Sequence, residues 1–154
     1  MAHITGITLD DRTVLRRAAH VEAERASAIR DLLEENIFSL KSQPCAGHYS
    51  LHLKVAEQRL ILTVLEGGQG SSQEIIVPLK PFKTLIRDYF IICESYFEAM
   101  QAGNHPKVEA IDMGRRGIHN EGAEKLQTYL AKEVDTDLAT ARRLFTLICV
   151  LHIA

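Results

Sequence analysis

"FKTLIRDYFIICESYFEAMQ", Phe82 to Gln101, decides the fold class. Advancing ~100° per residue, Phe82, Leu85, Ile86, Tyr89, Phe90, Ile92, Cys93, Tyr96, Phe97, Ala99 and Met100 share one half of a helical cylinder. Lys83, Thr84, Arg87, Asp88, Glu94, Ser95, Glu98 and Gln101 take the other half, and Ile91 alone falls on the wrong side. A helix half-covered in aromatic and aliphatic side chains must lie against a broad surface.

The residues before it supply a candidate surface. "YSLHLKV" alternates, with Tyr49, Leu51, Leu53 and Val55 on one face and Ser50, His52 and Lys54 on the other. "RLILTVL" follows after the short polar "AEQ", which suits a hairpin, and "EIIVPL" is a third strand whose Pro78 points to a sheet edge or a strand end. "EGGQGSSQ" between the last two reads as a hairpin tip. "HITGITL" near the start reads as a further short strand, closed by Asp10-Asp11. From about Ala18 to Phe38 the period is helical, with Ala18, Ala26, Ile29, Leu32, Leu33, Ile37 and Leu40 on one face, until "SLKSQPCAG" breaks it. The expected architecture is α+β: a small antiparallel sheet of three to four strands packed on one face by the long amphipathic helix, with further helices in the C-terminal half.

The chain has 154 residues, 18 Lys plus Arg against 20 Asp plus Glu, and 46% hydrophobic residues. That suits a single globular domain over 1–154 and argues against a protein whose main work is coating nucleic acid. Cys45, Cys93 and Cys149 lack paired spacing, and two of them sit in apolar helical stretches, which predicts reduced, buried thiols in the cytoplasm. The N-terminus carries no signal-peptide pattern, and "LFTLICVL" falls far short of the ~20 residues a membrane helix needs.

In the last third, "QAGNHP" ends the long helix and Pro106 opens the next. "DMGRRGIHNEG", Asp112 to Gly122, then raises the functional question. Gly117 follows basic residues as a helix-ending glycine would, and Asn120 is a reasonable N-cap for the segment after it, so the stretch reads as a helix-to-helix corner. The functional reading starts from the same corner: Arg115, Arg116, His119 and Asn120 beside a helix N-terminus favour an anion. Arg142 and Arg143, at the start of a final helix capped by Asp135 or Thr136, could join them. The competing fate of these arginines is salt bridging to Glu109, Asp112 or Glu121. A helix-turn-helix reading fits poorly, because "NEGAEKLQTYLAKE" is too acidic for a phosphate-lined groove.

Other motifs carry less. His48 and His52 share a strand face but lie ~13 Å apart, too far for one metal ion, and no HExxH, Cys cluster or calcium loop is present. "EGGQGSS" lacks the Lys-Ser/Thr ending of a phosphate loop, so no cofactor is expected. Glu22, Arg25 and Asn36 fall on the mainly apolar face of the first helix, where snorkelling to water is the favoured expectation and a buried polar network reaching another helix, at the arginine corner, is the alternative.

With "ERASAIRDLLEEN", "DYFIICESYFEAM", "EAIDMGRRGIHNEG" and "TARRLFTLICVLH" occurring in that order, the sequence resembles uncharacterised protein family 0262, a group of small alphaproteobacterial proteins. The resemblance implies no activity and gives no residue a role. The leading expectation is a non-catalytic cytoplasmic binding or interaction protein, holding an anionic group of a ligand or partner at Arg115, Arg116, His119, Asn120, Arg142 and Arg143. One alternative is an enzyme acting on a phosphorylated or carboxylated small molecule, with His119 as acid or base assisted by Glu121 or Glu22. Another is a structural homo-oligomer joined through "LFTLICVL".

Overall fold

The computed structural model of the chain describes residues 3–10, 19–42, 47–67 and 72–151. Cys45, His152 and residues 68–71 of the glycine-serine tip lie outside them. The three alternating runs form strands β3 (His48–Ala56), β4 (Arg59–Glu66) and β5 (Ser72–Pro78), paired antiparallel in sequence order. Tyr49, Leu51 and Leu53 are buried, as are Leu60, Leu62 and Val64 on β4 and Ile75 and Val77 on β5, so one face of the sheet supplies the core. The β3–β4 turn is Glu57-Gln58, both at positive φ (51° and 60°), the backbone a two-residue hairpin of this hand demands. β5 is an edge strand, where Pro78 withholds no needed donor.

β1 (His3–Leu9) completes a sheet of order β1-β3-β4-β5, but pairs parallel to β3, so the sheet is mixed rather than wholly antiparallel. The long connection through helix α1 (Ala19–Glu34) permits this, since parallel neighbours need a crossover. α1 stops four residues short of the expected end. Phe38–Leu40 is instead a strand, β2, paired antiparallel with β6 (Val134–Thr136). The buried stripe of α1 is Val21, Ala28 and Leu32, while Leu33 and, beyond the helix, Ile37 are exposed. Asn36, half-buried just beyond α1, bonds to β1 and to its own helix rather than reaching another helix, so neither expected fate describes it. Its Nδ2 donates to the carbonyls of Ile4 (3.0 Å) and Leu32 (2.8 Å), and its Oδ1 accepts from the Ile4 amide (2.7 Å).

Helix α2 (Lys83–Gln101) is amphipathic as the sequence requires: Leu85, Ile86, Tyr89, Cys93 and Ala99 are buried and Ile91 is exposed. Its chief backbone partner, however, is helix α3 (His105–Leu130), and helix α4 (Leu138–Leu151) takes the central place over β3. The reason lies in the two patterns. α2 has a polar half that can face water, whereas every residue of α4 from Leu144 to Leu151 is buried and needs protein all round. Leu147 is 0% exposed within one copy of the chain, so "LFTLICVL" is an internal core helix and offers no face to a second copy. α4 is capped by Asp137, whose Oδ1 accepts from the Thr140 amide (3.0 Å), because Asp135 and Thr136 are spent on β6.

α3 overturns the expected corner. It runs unbroken through Gly114, Gly117 and Gly122, starting from an Asn104 cap with Pro106 in its first turn. The glycines are set by tertiary packing rather than by termination. A Cβ on Gly122 would lie 2.6 Å from three atoms of the buried Phe145 ring, and one on Gly114 would lie 2.8 Å from Ile92 Cδ1. These two positions let α4 and α2 approach α3 closely, while Gly117 faces open space. Without a turn, a helix-turn-helix is absent here as well.

One substitution therefore has opposite effects at two sites in one helix. Gly122→Ala is expected to destabilise the chain by about 1–3 kcal/mol, because the collision with Phe145 outweighs the better helix propensity. Gly117→Ala is expected to stabilise it by up to about 1 kcal/mol. Urea denaturation of both variants checks the signs.

Candidate functional site

The unbroken α3 places Arg115 and His119 one turn apart, toward α1 and α4. Glu24, Ser27, Ala28 and Asp31 of α1 border the same hollow as Arg115, His119, Arg142 and Arg143, a space of about 230 Å³. A neighbouring hollow of about 340 Å³ is bordered by Arg116, His119, Asn120 and Arg142. All six residues expected to form the site thus meet at two adjoining hollows.

Their charges are unequally available. Asp112 bridges both neighbouring arginines, its Oδ1 accepting from Arg115 Nη2 and its Oδ2 facing Arg116 Nε, each at 2.9 Å. The hydrogen bond from Arg115 holds the Asp112 carboxyl below its ordinary range. Arg115 also lies 3.5 Å from Glu24 Oε2 and 4.3 Å over the Tyr96 ring. The competing fate has therefore claimed Arg115 and Arg116. Arg142 Nη2 instead donates to Asn120 Oδ1 (3.0 Å) and Arg143 Nη1 to the Ala139 carbonyl (3.3 Å). Among the described residues neither has a carboxylate partner.

Glu24 was missed from the sequence and is central here. Its Oε1 accepts from Tyr89 Oη (2.9 Å), tying α1 to α2, while its other oxygen faces Arg115. The available signal was spacing: Glu24, Ala28 and Asp31 recur at three and four residues along one stripe of α1, beside buried Leu32. Burial and the Glu24 charge drive the Tyr89 and Cys93 protons well onto their atoms, Cys93 to about 11, so neither is a ready nucleophile. Cys93 and Cys149 are free and buried, as expected of them.

His119 stacks on Tyr89, ring centroids 5.3 Å apart. Burial holds its imidazole down at about 4, with the Arg115 and Arg142 charges pushing the same way and Glu24 opposing. It is neutral at physiological pH. Among the described residues its Nε2 and the Nε atoms of Arg142 and Arg115 are buried without a hydrogen-bond partner; His119 and Arg142 border both hollows and Arg115 the smaller. Buried polar atoms are paired as a rule, so three orphans at one place mark a site where something else can bind. Of the carboxylates proposed to assist His119, Glu22 is exposed, and Glu121 borders a separate shallow hollow with Glu124, Lys125, Thr128 and Tyr129. Among the described residues no group of three or more His, Cys, Asp or Glu side chains could hold a metal ion, and no helix is long and apolar enough to cross a membrane.

The model of an uncharacterised protein family, UPF0262, matches residues 1–154. The chain belongs to that family. It is similar to a UPF0262 protein of Paramagnetospirillum magneticum, 50% identical over 147 residues, covering 96% of this chain and 93% of that one. A UPF0262 protein of Rhodospirillum rubrum is 49% identical over 150 residues, with 97% and 92% covered. One of Xanthobacter autotrophicus is 45% identical over 152 residues, with 98% and 92% covered. The names of these UPF0262 relatives state no activity. No solved structure matches the chain.

The His119 environment predicts an acid-sensitive contribution to stability. The unfolded imidazole takes up a proton near 6.5, and the folded one resists until about 4. Stability from this group is thus complete above about pH 6.5 and falls as pH drops towards 4, at up to about 1.4 kcal/mol per pH unit. Urea midpoints of the native chain and His119→Gln across that window should converge as pH falls.

Proposed function

We propose that the chain is a non-catalytic cytoplasmic binding protein that accepts the anionic group of a ligand in the hollows between α1, α3 and α4. The observation that carries this reading is the pairing of unclaimed charge with unclaimed donors: Arg142 and Arg143 without carboxylates, and Arg142 Nε and His119 Nε2 without hydrogen-bond partners. Bordering the smaller hollow, three guanidiniums and a neutral imidazole face two carboxylates, leaving a local positive excess. Guanidinium forks match carboxylate and phosphate oxygens and give the stronger, charge-assisted hydrogen bonds. Asn120 positions Arg142 for the task, while Arg115 and Arg116, held by Asp112, form walls rather than free cations. The unpaired spacing and burial of the Cys93 and Cys149 thiols accord with a reducing compartment.

A catalytic reading is weaker on the same geometry. Neutral His119 can accept a proton, but it is a poor acid near neutrality, and its nearest carboxylates are committed to Tyr89 and the arginines.

Thermal-shift titration with phosphate, sulfate and acetate, at constant ionic strength set by chloride, tests the proposal. A saturable rise in Tm is expected for at least one anion. Arg142→Ala and Arg143→Ala should each weaken it about tenfold or more, in line with a lost charged hydrogen bond. Arg116→Ala, at an ion pair whose arginine is 77% exposed, should change it little. A flat titration for every anion would overturn the reading.

A further inference from the structure

A second, larger hollow adjoins the charged one and differs from it in chemistry. It measures about 560 Å³ and is walled by Cys93, Tyr96, Phe97, Met100 and Gln101 of α2, with Ala23 of α1. Glu24 and Arg115 border both spaces, so their ion pair is the partition between them. The walls are largely hydrocarbon. Phe97 and Met100 remain 38% and 55% exposed although they continue the apolar half of α2. Large apolar side chains gathered in a concavity, rather than scattered over a surface, are the usual lining of a small-molecule pocket, and this volume falls in the usual range. Met100 adds an adaptable wall.

We infer that the ligand is a single-chain amphiphilic anion, its carboxylate or phosphate head held by Arg142 and Arg143 and its alkyl tail laid along Cys93, Tyr96, Phe97 and Met100. This inference rests on the anion-binding reading and adds the class of molecule. The partition is what permits one molecule to use both spaces. Arg115 Cζ lies 4.3 Å from the Tyr96 ring centroid and its charge is taken by Asp112 and Glu24, so a chain passing it meets a neutralised surface. Among the described residues the charged side chains that border the larger hollow are Glu24 and Arg115, which pair with each other, and an alkyl chain suits the apolar walls beside them. Among the described residues Arg142 and Arg143, which have no carboxylate partner, lie on the far side of the partition. A molecule satisfying both halves carries its charge at one end.

The chain contains no tryptophan, so Met100→Trp places a single indole at the larger hollow. Its emission is followed while acetate, hexanoate, octanoate, decanoate, octyl phosphate and octanol are added below their micelle-forming concentrations. Saturable blue shifts are expected for the long-chain anions, with affinity rising about fourfold per added methylene. Octanol should bind at least tenfold more weakly than octanoate, and Arg142→Ala should abolish that difference. Comparing octanoate with octyl phosphate shows which head is preferred. Adding Phe97→Asp, at an already exposed position, should remove the chain-length dependence while acetate or phosphate still raises Tm. If short anions bind but chain length has no effect, the amphiphile inference is overturned and the anion site stands. Absence of any anion binding overturns both. Octanol binding as well as octanoate overturns the head assignment. Emission that changes with protein concentration and ignores every alkyl ligand assigns the hollow to a second copy of the chain and overturns the inference too.

Discussion

The contact on which the site depends is that of the Phe145 ring with a place on α3 where no side chain stands. Gly122 leaves room for three ring atoms that a single methyl would meet at 2.6 Å. Phe145 in turn lies within aromatic contact of Phe82 (6.4 Å) and Tyr89 (6.3 Å), so one ring joins α4 to α3, to α2 and to the turn before it. His119 and Asn120 stand within one turn of Gly122, and Arg142 and Arg143 within one turn of Phe145. The close approach of the two helices is what lets Arg142 reach Asn120 and brings charges from distant parts of the chain to one hollow. A glycine inside a helix costs about 1 kcal/mol relative to alanine, and at this position the cost is offset by packing.

That same glycine shows what local sequence can and cannot reveal. The β3-β4-β5 meander was legible because a period of two survives wherever one sheet face is buried, and Tyr49, Leu51 and Leu53 are buried as their alternation requires. α2 and α4 were legible because their apolar residues are many. α3 was not, because three glycines and a largely polar composition resemble an end signal, and the atoms that require Gly114 and Gly122 come from other helices. Three-residue strands such as β2 and β6 are too short to carry any period. The parallel pairing of β1 depends on where α1 delivers the chain, which no stretch of β1 encodes.

The site divides along the same line. Its arginines, His119 and Asn120 could be picked out as residue types, and Asp112 could be named as one of three carboxylates competing for them. Which charges are spent could not be known without Glu24, whose two oxygens serve a tyrosine of α2 and an arginine of α3 at once. Glu24 looked like one more surface carboxylate on a helix rich in them. Its importance arises only when three helices converge, and it turns Arg115 from a free cation into a partition between two hollows.

Asn36 has a consequence of a different kind. β1 forms the margin of the sheet, and a strand margin offers its outer amide and carbonyl to any passing polypeptide. At Ile4 both of those groups are already engaged by the Asn36 side chain, which makes the same reciprocal pair a neighbouring strand would make. One carboxamide thus closes the sheet at that point against the stacking of further chains. It gives a helix-terminal residue a part in keeping copies of the protein from polymerising.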